Sequence, residues 1–410
     1  MTALSRARET VLEGGLTMLP GGVSRAPLAL RGGRVGDAPG GMPFRVDLRG
    51  HRIFPGLING HEHLQVNAVP ALREGAPFPN SYAWIQAFQA HFEDADVVAA
   101  LRVPKDVRLR HGALKNLLAG VTCVVHHDPW HAVLDADDFP VSLLRDHGWS
   151  YALDGPDFGP PVSASYRSTP ADRPWMIHLA EGTDAVAAAE LGKLDALGCL
   201  GSNTVLIHGV GLHAADIDRV IARGAAVVWC PGSNRALLGS TLDPRRLQAA
   251  GRLALGSDSR LSGCRDLLGE MSDIAARGTL SGSAVLGLVT TDAARIFRLG
   301  LHGSLATGAP ADLVIVRDRD GLAADSLVGL ARSDLRAVVR NGMPCVADPD
   351  FAEWFEAAGV DTIAVGLDGR PKLMARGLFD TDVLALEPGL DLFLTDDKRE
   401  DALAMELLCP

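Results

Sequence analysis

The sequence predicts an α/β protein: a TIM-like (β/α)8 barrel with a small β-sandwich domain formed by both chain ends. Two observations carry this expectation. Through the middle of the chain, short apolar runs alternate with longer amphipathic segments, the pattern of parallel strands joined by helices. Outside that stretch, at both ends, the runs are short, β-rich and punctuated by Gly and Pro.

In chain order, LALRGGRV (28–35) and PFRVDLRGHRIF (43–54) read as strands of the small domain. FPGLINGHEHLQ (54–65) then opens the barrel. GVTCVVHH (120–127), WMIHLAEG (175–182), NTVLIHG (203–209), AAVVWCPGSN (225–234) and RLALGSDS (252–259) read as buried strands, each closing on polar residues. Helices fit between them, at 183–198 and at 213–224, the second stopping at Gly224. From Pro55 to Leu299 there is room for eight strand–helix units, at the about 250 residues typical of such a barrel. ADLVIV, LRAVVRNGMPCV and TIAVGLDGRPKLMA follow residue 310 and return to the small domain. The expected boundaries are 1–54 and 301–377 for the small domain, 55–300 for the barrel, and 378–410 for an acidic tail or surface helix.

Composition narrows the function. A formal charge of −11, with no Lys/Arg cluster, disfavours nucleic acid and anionic membranes as partners. The first residues carry charges of both signs and no apolar core, and no apolar stretch reaches the roughly 20 residues of a membrane helix, so a cytoplasmic enzyme is expected. Cys123, Cys199, Cys230, Cys264, Cys345 and Cys409 are scattered without a CxxC pair, which suggests neither a disulfide framework nor a thiolate zinc site. Neither a Walker loop nor a GxSxG elbow is present.

His61 and His63 stand two apart, so on a strand they share a face while Glu62 points away. Taken alone, the pair can be two polar residues at a strand end. Position adds weight, because His178, His208 and Asp258 each close an expected strand, and barrel active sites lie at the carboxyl ends of the strands. Such a ring of imidazoles and a carboxylate suits one divalent metal ion, Zn²⁺ first and Fe²⁺ second, which lowers the pKa of a water molecule to about 7. Glu181, three residues past His178, is either a first-turn helix acid or the proton carrier that hydrolysis needs.

PGLINGHEHL, HLAEG, LIHG, CPGSN and LGSDS, in that order, resemble the amidohydrolase superfamily, and within it the cytosolic aminohydrolases and triazine chlorohydrolases, the branch of cytosine, guanine and S-adenosylhomocysteine deaminases. The segment 290–316 resembles that family's return from barrel to small domain. The resemblance implies that His61, His63, His178 and Asp258 bind the metal. It further implies that Glu181 is the proton shuttle, that His208 orients or polarises water or substrate, and that Asp258 helps activate the water. Many relatives bridge two metals with a carboxylated lysine on the fourth strand. No Lys occurs between Lys115 and Lys193, so a single metal is expected. The chain departs from the branch at Gly182, where Thr or Ser is usual, and at Ser257, within a motif often written GTDS.

Around this core the candidate substrate-binding residues are Trp84 and Trp130 in loops over the mouth, His127 at a strand end, Asn234 in CPGSN, and Arg260 just past Asp258. Each has a purely structural alternative. Three functions remain open: hydrolytic deamination of a small nitrogen heterocycle or cyclic amidine; ring-opening of a cyclic amide or hydrolytic dechlorination at the same site; and a non-catalytic scaffold, which would be marked by lost ligands that this chain retains. The expected partner is a small-molecule substrate, and a homodimer is the expected assembly.

Overall fold

The computed structural model describes residues 9–19, 22–37, 41–72, 76–154, 158–319 and 323–392. Its centre is a TIM-barrel-like α/β fold. The strands are β1 (Leu57–Glu62), β2 (Val121–His126), β3 (Ser142–Leu143), β4 (Gly148–Ser150), β5 (Trp175–Leu179), β6 (Thr204–His208), β7 (Ala226–Trp229) and β8 (Leu253–Leu255). They form two parallel sheets, β3-β2-β1 and β4-β5-β6-β7-β8. Glu62 and Asp258 join the sheets in a parallel bridge, reinforced by the Asp258 N–H donating to the His61 carbonyl at 3.0 Å. No ladder closes the ring between β3 and β4 among the described residues.

Alternation builds the two layers. Ile58, Met176, Ile207 and Val228 point into the barrel, whereas Leu57, Ile177, Leu206 and Val227 point outward into a cluster that includes Leu191, Leu194, Val220 and Ile274 of the helices. The strands carry these apolar residues on both faces because both faces are covered. Helix Ala185–Ala196 starts where Asp184 accepts the Ala187 N–H, and helix Ala214–Arg223 stops at Gly224, as expected. Where β1 meets β8 the approach is so close that a Cβ on Gly60 would lie 2.8 Å from the Leu255 carbonyl oxygen. Glycine there lets the two histidine-bearing and carboxylate-bearing ends come together.

Strands from both chain ends meet in a nine-stranded sheet, where Leu313–Arg317 pairs antiparallel with His51–Pro55. A second, four-stranded sheet from the N-terminal end contributes Leu12, Leu30 and Val46 to the same apolar cluster as Ile53, Leu313 and Val339 of the larger one. The expected acidic tail or surface helix at 378–410 needs correction at Leu390–Leu392. Thr381–Ala385 is a helix and Leu390–Leu392 is an edge strand of the nine-stranded sheet, held because Glu387 between them is buried. Residues 393–410 lie outside the described residues. Among the described residues no helix is long and apolar enough to cross a membrane.

Candidate active site

At the carboxyl ends of the strands the imidazoles converge. Nε2 of His61 lies 3.3 Å from Nε2 of His178 and 3.7 Å from Oδ1 of Asp258, and Nε2 of His63 is also 3.7 Å from that oxygen. The second atoms of His178, His63 and Asp258 are already engaged, whereas Nδ1 of His61 has no partner among the described residues. His178 Nδ1 donates to the Tyr151 carbonyl at 2.8 Å, His63 Nδ1 contacts Asp128 Oδ2 at 2.6 Å, and Asp258 Oδ2 accepts from Ser233 and Ser262 at 2.7 and 2.6 Å. The atoms left over are the ones that face one another. A tetrahedral ion with bonds of about 2.0–2.1 Å would hold its donors about 3.3–3.4 Å apart, so the residues fit a divalent metal, and the inner nitrogens have their lone pairs free.

The electrostatics agree with neutral ligands at two positions. Burial, then the other histidines, push His61 well below its ordinary value, and burial with His63 and His208 pushes His178 down to about 3. At His63 burial also lowers the value, but Asp128, then Asp258 and Glu62, outweigh it and raise the imidazole to about 9. Glu62 itself turns away, as expected, and pairs with buried Lys115 at 2.7 Å.

His208 reaches the group by a backbone device. Val205 and Ile207 face the interior, so strict alternation would turn His208 outward. Its φ of +75° takes it out of the pleat, and its Nε2 comes within 3.4 Å of Glu181 Oε1. Asn234 fixes the ring by accepting from Nδ1 at 2.8 Å. Burial raises the Glu181 carboxyl above the usual range. The backbone beside Glu181 explains Gly182: a Cβ there would lie 2.7 Å from the Pro79 carbonyl oxygen and 2.7 Å from Asn80 Cβ. Segment 79–81 lies directly on it, with the Ser81 N–H donating to the Glu181 carbonyl at 2.8 Å and the Thr183 N–H to that of Pro79 at 2.9 Å. Helix Ser81–His91 is thereby drawn over the mouth.

These groups open on one cavity of about 330 Å³, lined by His63, His178, Glu181, His208 and Asp258 together with Trp84. Four candidates for substrate contact stand elsewhere. His127 is fully buried, stacked on His178 with centroids 4.4 Å apart and Nε2 at the Ser150 carbonyl, so it supports a ligand rather than lining the pocket. Trp130 is held at the surface by Asp135 and the Arg145 guanidinium over its ring. Asn234 spends its amide on His208 and Thr241. Arg260 forks onto Glu387 at 2.8 and 2.7 Å, away from the cavity. Conversely, Asp128, Ser233 and Ser262 were not singled out from sequence. Asp128 closes the HHD end of β2, and Ser233 sits in the CPGSN motif already noted, so a polar residue at each strand end was the available signal.

The donor set stands at the mouth of a TIM-barrel-like fold and fits a divalent metal. Residues 167–366 match the amidohydrolase family. A 5-methylthioadenosine/S-adenosylhomocysteine deaminase of Halobacterium salinarum is 27% identical over 69% of this chain and 76% of its own length. A 5′-deoxyadenosine deaminase of Methanothermobacter thermautotrophicus is 25% identical over 73% of this chain and 82% of its own. In fold, the chain is similar to a zinc-bound adenosine deaminase from Xanthomonas campestris, with a TM-score of 0.65, 21% identity and coverage of 85% of this chain and 97% of that one. The zinc complex of an atrazine chlorohydrolase from Arthrobacter aurescens gives 0.66, 19%, 82% and 95%. The match over residues 167–366 and the deaminase relatives support a hydrolase acting on carbon–nitrogen bonds.

Proposed function

We propose that this protein is an aminohydrolase that removes the amino group of a purine-like nitrogen heterocycle as ammonia, with His61, His63, His178 and Asp258 holding one divalent ion, zinc before iron. The observation that carries the reading is the convergence beside Glu181 of two donor groups that share His61, namely His61–His63–Asp258 and His61–His178–His208. The deaminase names of the relatives support the choice of bond.

When bound, the ion supplies Lewis acidity that makes a water molecule acidic at neutral pH. The remaining work falls to the chain. Glu181, with its carboxyl pKa raised by burial, is suited to accept a proton from the attacking water and hand it to nitrogen. His208, locked by Asn234 so that Nδ1–H is the donor, presents Nε2 toward Glu181 and the reacting carbon. Asp258, with Oδ2 tied to two serines and Oδ1 turned to the ion site, would help activate the water. The balance is one C–O bond formed and one C–N bond broken, with one water proton reaching the ring nitrogen and the other the departing amino group.

The test is ammonia release by zinc-loaded protein against aminated purine nucleosides, pyrimidines, pterins and triazines. Release from a purine nucleoside is expected. No ammonia from any ring, with metal bound, would overturn the reading, and turnover of a cyclic amide or a chlorinated ring instead would replace it.

A further inference from the structure

Beyond its reacting end the cavity is walled by aromatic rings. Trp84 and Phe88, one turn apart on helix Ser81–His91, stack at 5.5 Å between centroids, and Phe92 continues the row 4.9 Å from Phe88. Tyr151 packs 4.8 Å from the His178 ring and meets Phe158 edge to face at 5.1 Å. All five rings line the cavity. Phe92 and Phe158 are 42% and 44% exposed, so the aromatic lining reaches from the metal ligands to solvent.

The charges do not follow. Among the described residues that line the cavity there is no Lys or Arg. The nearby guanidiniums are spent: Arg260 on Glu387, and Arg108 on the carbonyls of Gln65 and Val103. Of the three lining carboxylates, Asp128 and Asp258 are spent on His63 and on Ser233 and Ser262, and Glu181 stands at the reacting end beside His208. Two buried polar atoms of lining residues have no partner among the described residues, the indole N–H of Trp84 and the amide oxygen of Gln65, and both are neutral. A carboxylate or phosphate brought to the aromatic end of the cleft, away from His63 and the ion site, loses its water and gains no cation, whereas an apolar group gains burial against the rings.

We propose that the cleft selects an uncharged amino-heterocycle bearing an apolar or aromatic substituent, and discriminates against the same heterocycle carrying a carboxylate or phosphate. This rests on the deaminase reading. Exposed large apolar rings around a polar reacting centre are then the specificity element rather than a folding liability.

The test compares matched adenosine derivatives that differ only at the 5′ position. Methylthio and benzylthio substituents are set against the homocysteine amino acid and the monophosphate, with the zinc-loaded full chain. The neutral pair is expected to show kcat/KM at least about 100-fold above the charged pair. Equal or higher values for the charged pair overturn the proposal. Gln89→Arg, which puts a cation on the cavity rim, is expected to narrow the ratio about tenfold, and an unchanged ratio counts against it. Binding is read separately, by calorimetry with the corresponding 6-oxo (inosine) derivatives. If no derivative releases ammonia, the deaminase reading fails, while tighter binding of the neutral 6-oxo ligands still supports the cleft's preference and tighter binding of the charged ones overturns it.

Discussion

Nδ1 of His63 lies 2.6 Å from Oδ2 of Asp128, and both groups are largely withdrawn from solvent. The contact fixes which face of the imidazole looks inward. With Nδ1–H given to the carboxylate, Nε2 is the nitrogen turned toward Asp258 and the other histidines, and once it gives up its proton the negative charge makes it a better donor to a cation. Asp128→Asn is therefore expected to weaken zinc about 10–100-fold while leaving the fold intact, read by chelator competition. Unchanged affinity would mean that Asp128 plays no part in holding the ion.

Glu181 makes the opposite prediction. Its Oε1 sits 3.4 Å from His208 Nε2 but belongs neither to the His61–His178–His208 group nor to the His61–His63–Asp258 group, whose donor atoms lie close enough together to hold a metal. Glu181→Gln should keep one zinc per chain and lose roughly 10²–10⁴ of kcat, because an amide cannot accept and return a proton. Metal content and single-turnover rate measured on the same preparation separate the two effects. Full activity in the variant would remove Glu181 from the mechanism.

Gly182 tests the placement of the aromatic helix. Adding a Cβ forces the 79–80 segment outward by several tenths of an ångström, since backbone oxygen and Cβ both stand 2.7 Å away. Gly182→Ser is expected to cost about 1–3 kcal/mol in stability, by the usual penalty for overpacking. It should also raise KM more than it lowers kcat, because the helix carrying Trp84 and Phe88 moves while the metal donors do not. Denaturation midpoints and steady-state kinetics check the two parts, and wild-type KM would show that the segment yields without moving the helix.

The metal donors were legible in sequence because two periodicities coincide there: residues two apart on a strand share a face, and strand ends in a barrel share a mouth. His178 obeys both. His61 and His63 fall on the odd side of inward-facing Ile58, where the β1–β2 register shifts, and His208 and Asp258 depend on left-handed φ values of +75° and +57° that no local pattern announced. β3 and β4 escaped notice because at two and three residues they carry no apolar run long enough to register. The misplaced contacts share another cause. Arg260 is claimed by Glu387, 127 positions away, Asn234 by His208, and Trp130 by a loop ion pair. A polar side chain near a site goes to whichever partner the fold brings closest, and spacing in the sequence does not reveal that partner.

Glu387 links that last point to pH. Its carboxylate is buried and accepts from Arg260 at 2.7 and 2.8 Å, from His111 at 2.8 Å and from Arg332. Burial alone would raise its pKa, but the hydrogen bonds from His111 and Arg260 and the charges of Arg260 and Arg332 hold it well below the ordinary 4.5. A depressed carboxylate is more readily protonated in the unfolded chain, so its contribution to stability is complete above pH 4.5 and is lost as the pH falls toward the folded value. Glu387→Gln removes this dependence and leaves half-buried Arg260 without its carboxylate while Arg332 keeps only Asp368, at a cost of about 3–5 kcal/mol near neutrality. The stability gap between wild type and variant, followed by urea denaturation from pH 7 downward, should stay constant to about pH 4.5 and then narrow. A gap that does not change with pH would show that the carboxylate acts through its shape and hydrogen bonds and not through its charge. Because Arg260 lies two residues beyond Asp258, the same variant should also loosen zinc, whereas a purely peripheral role for the 381–392 segment predicts unaltered affinity.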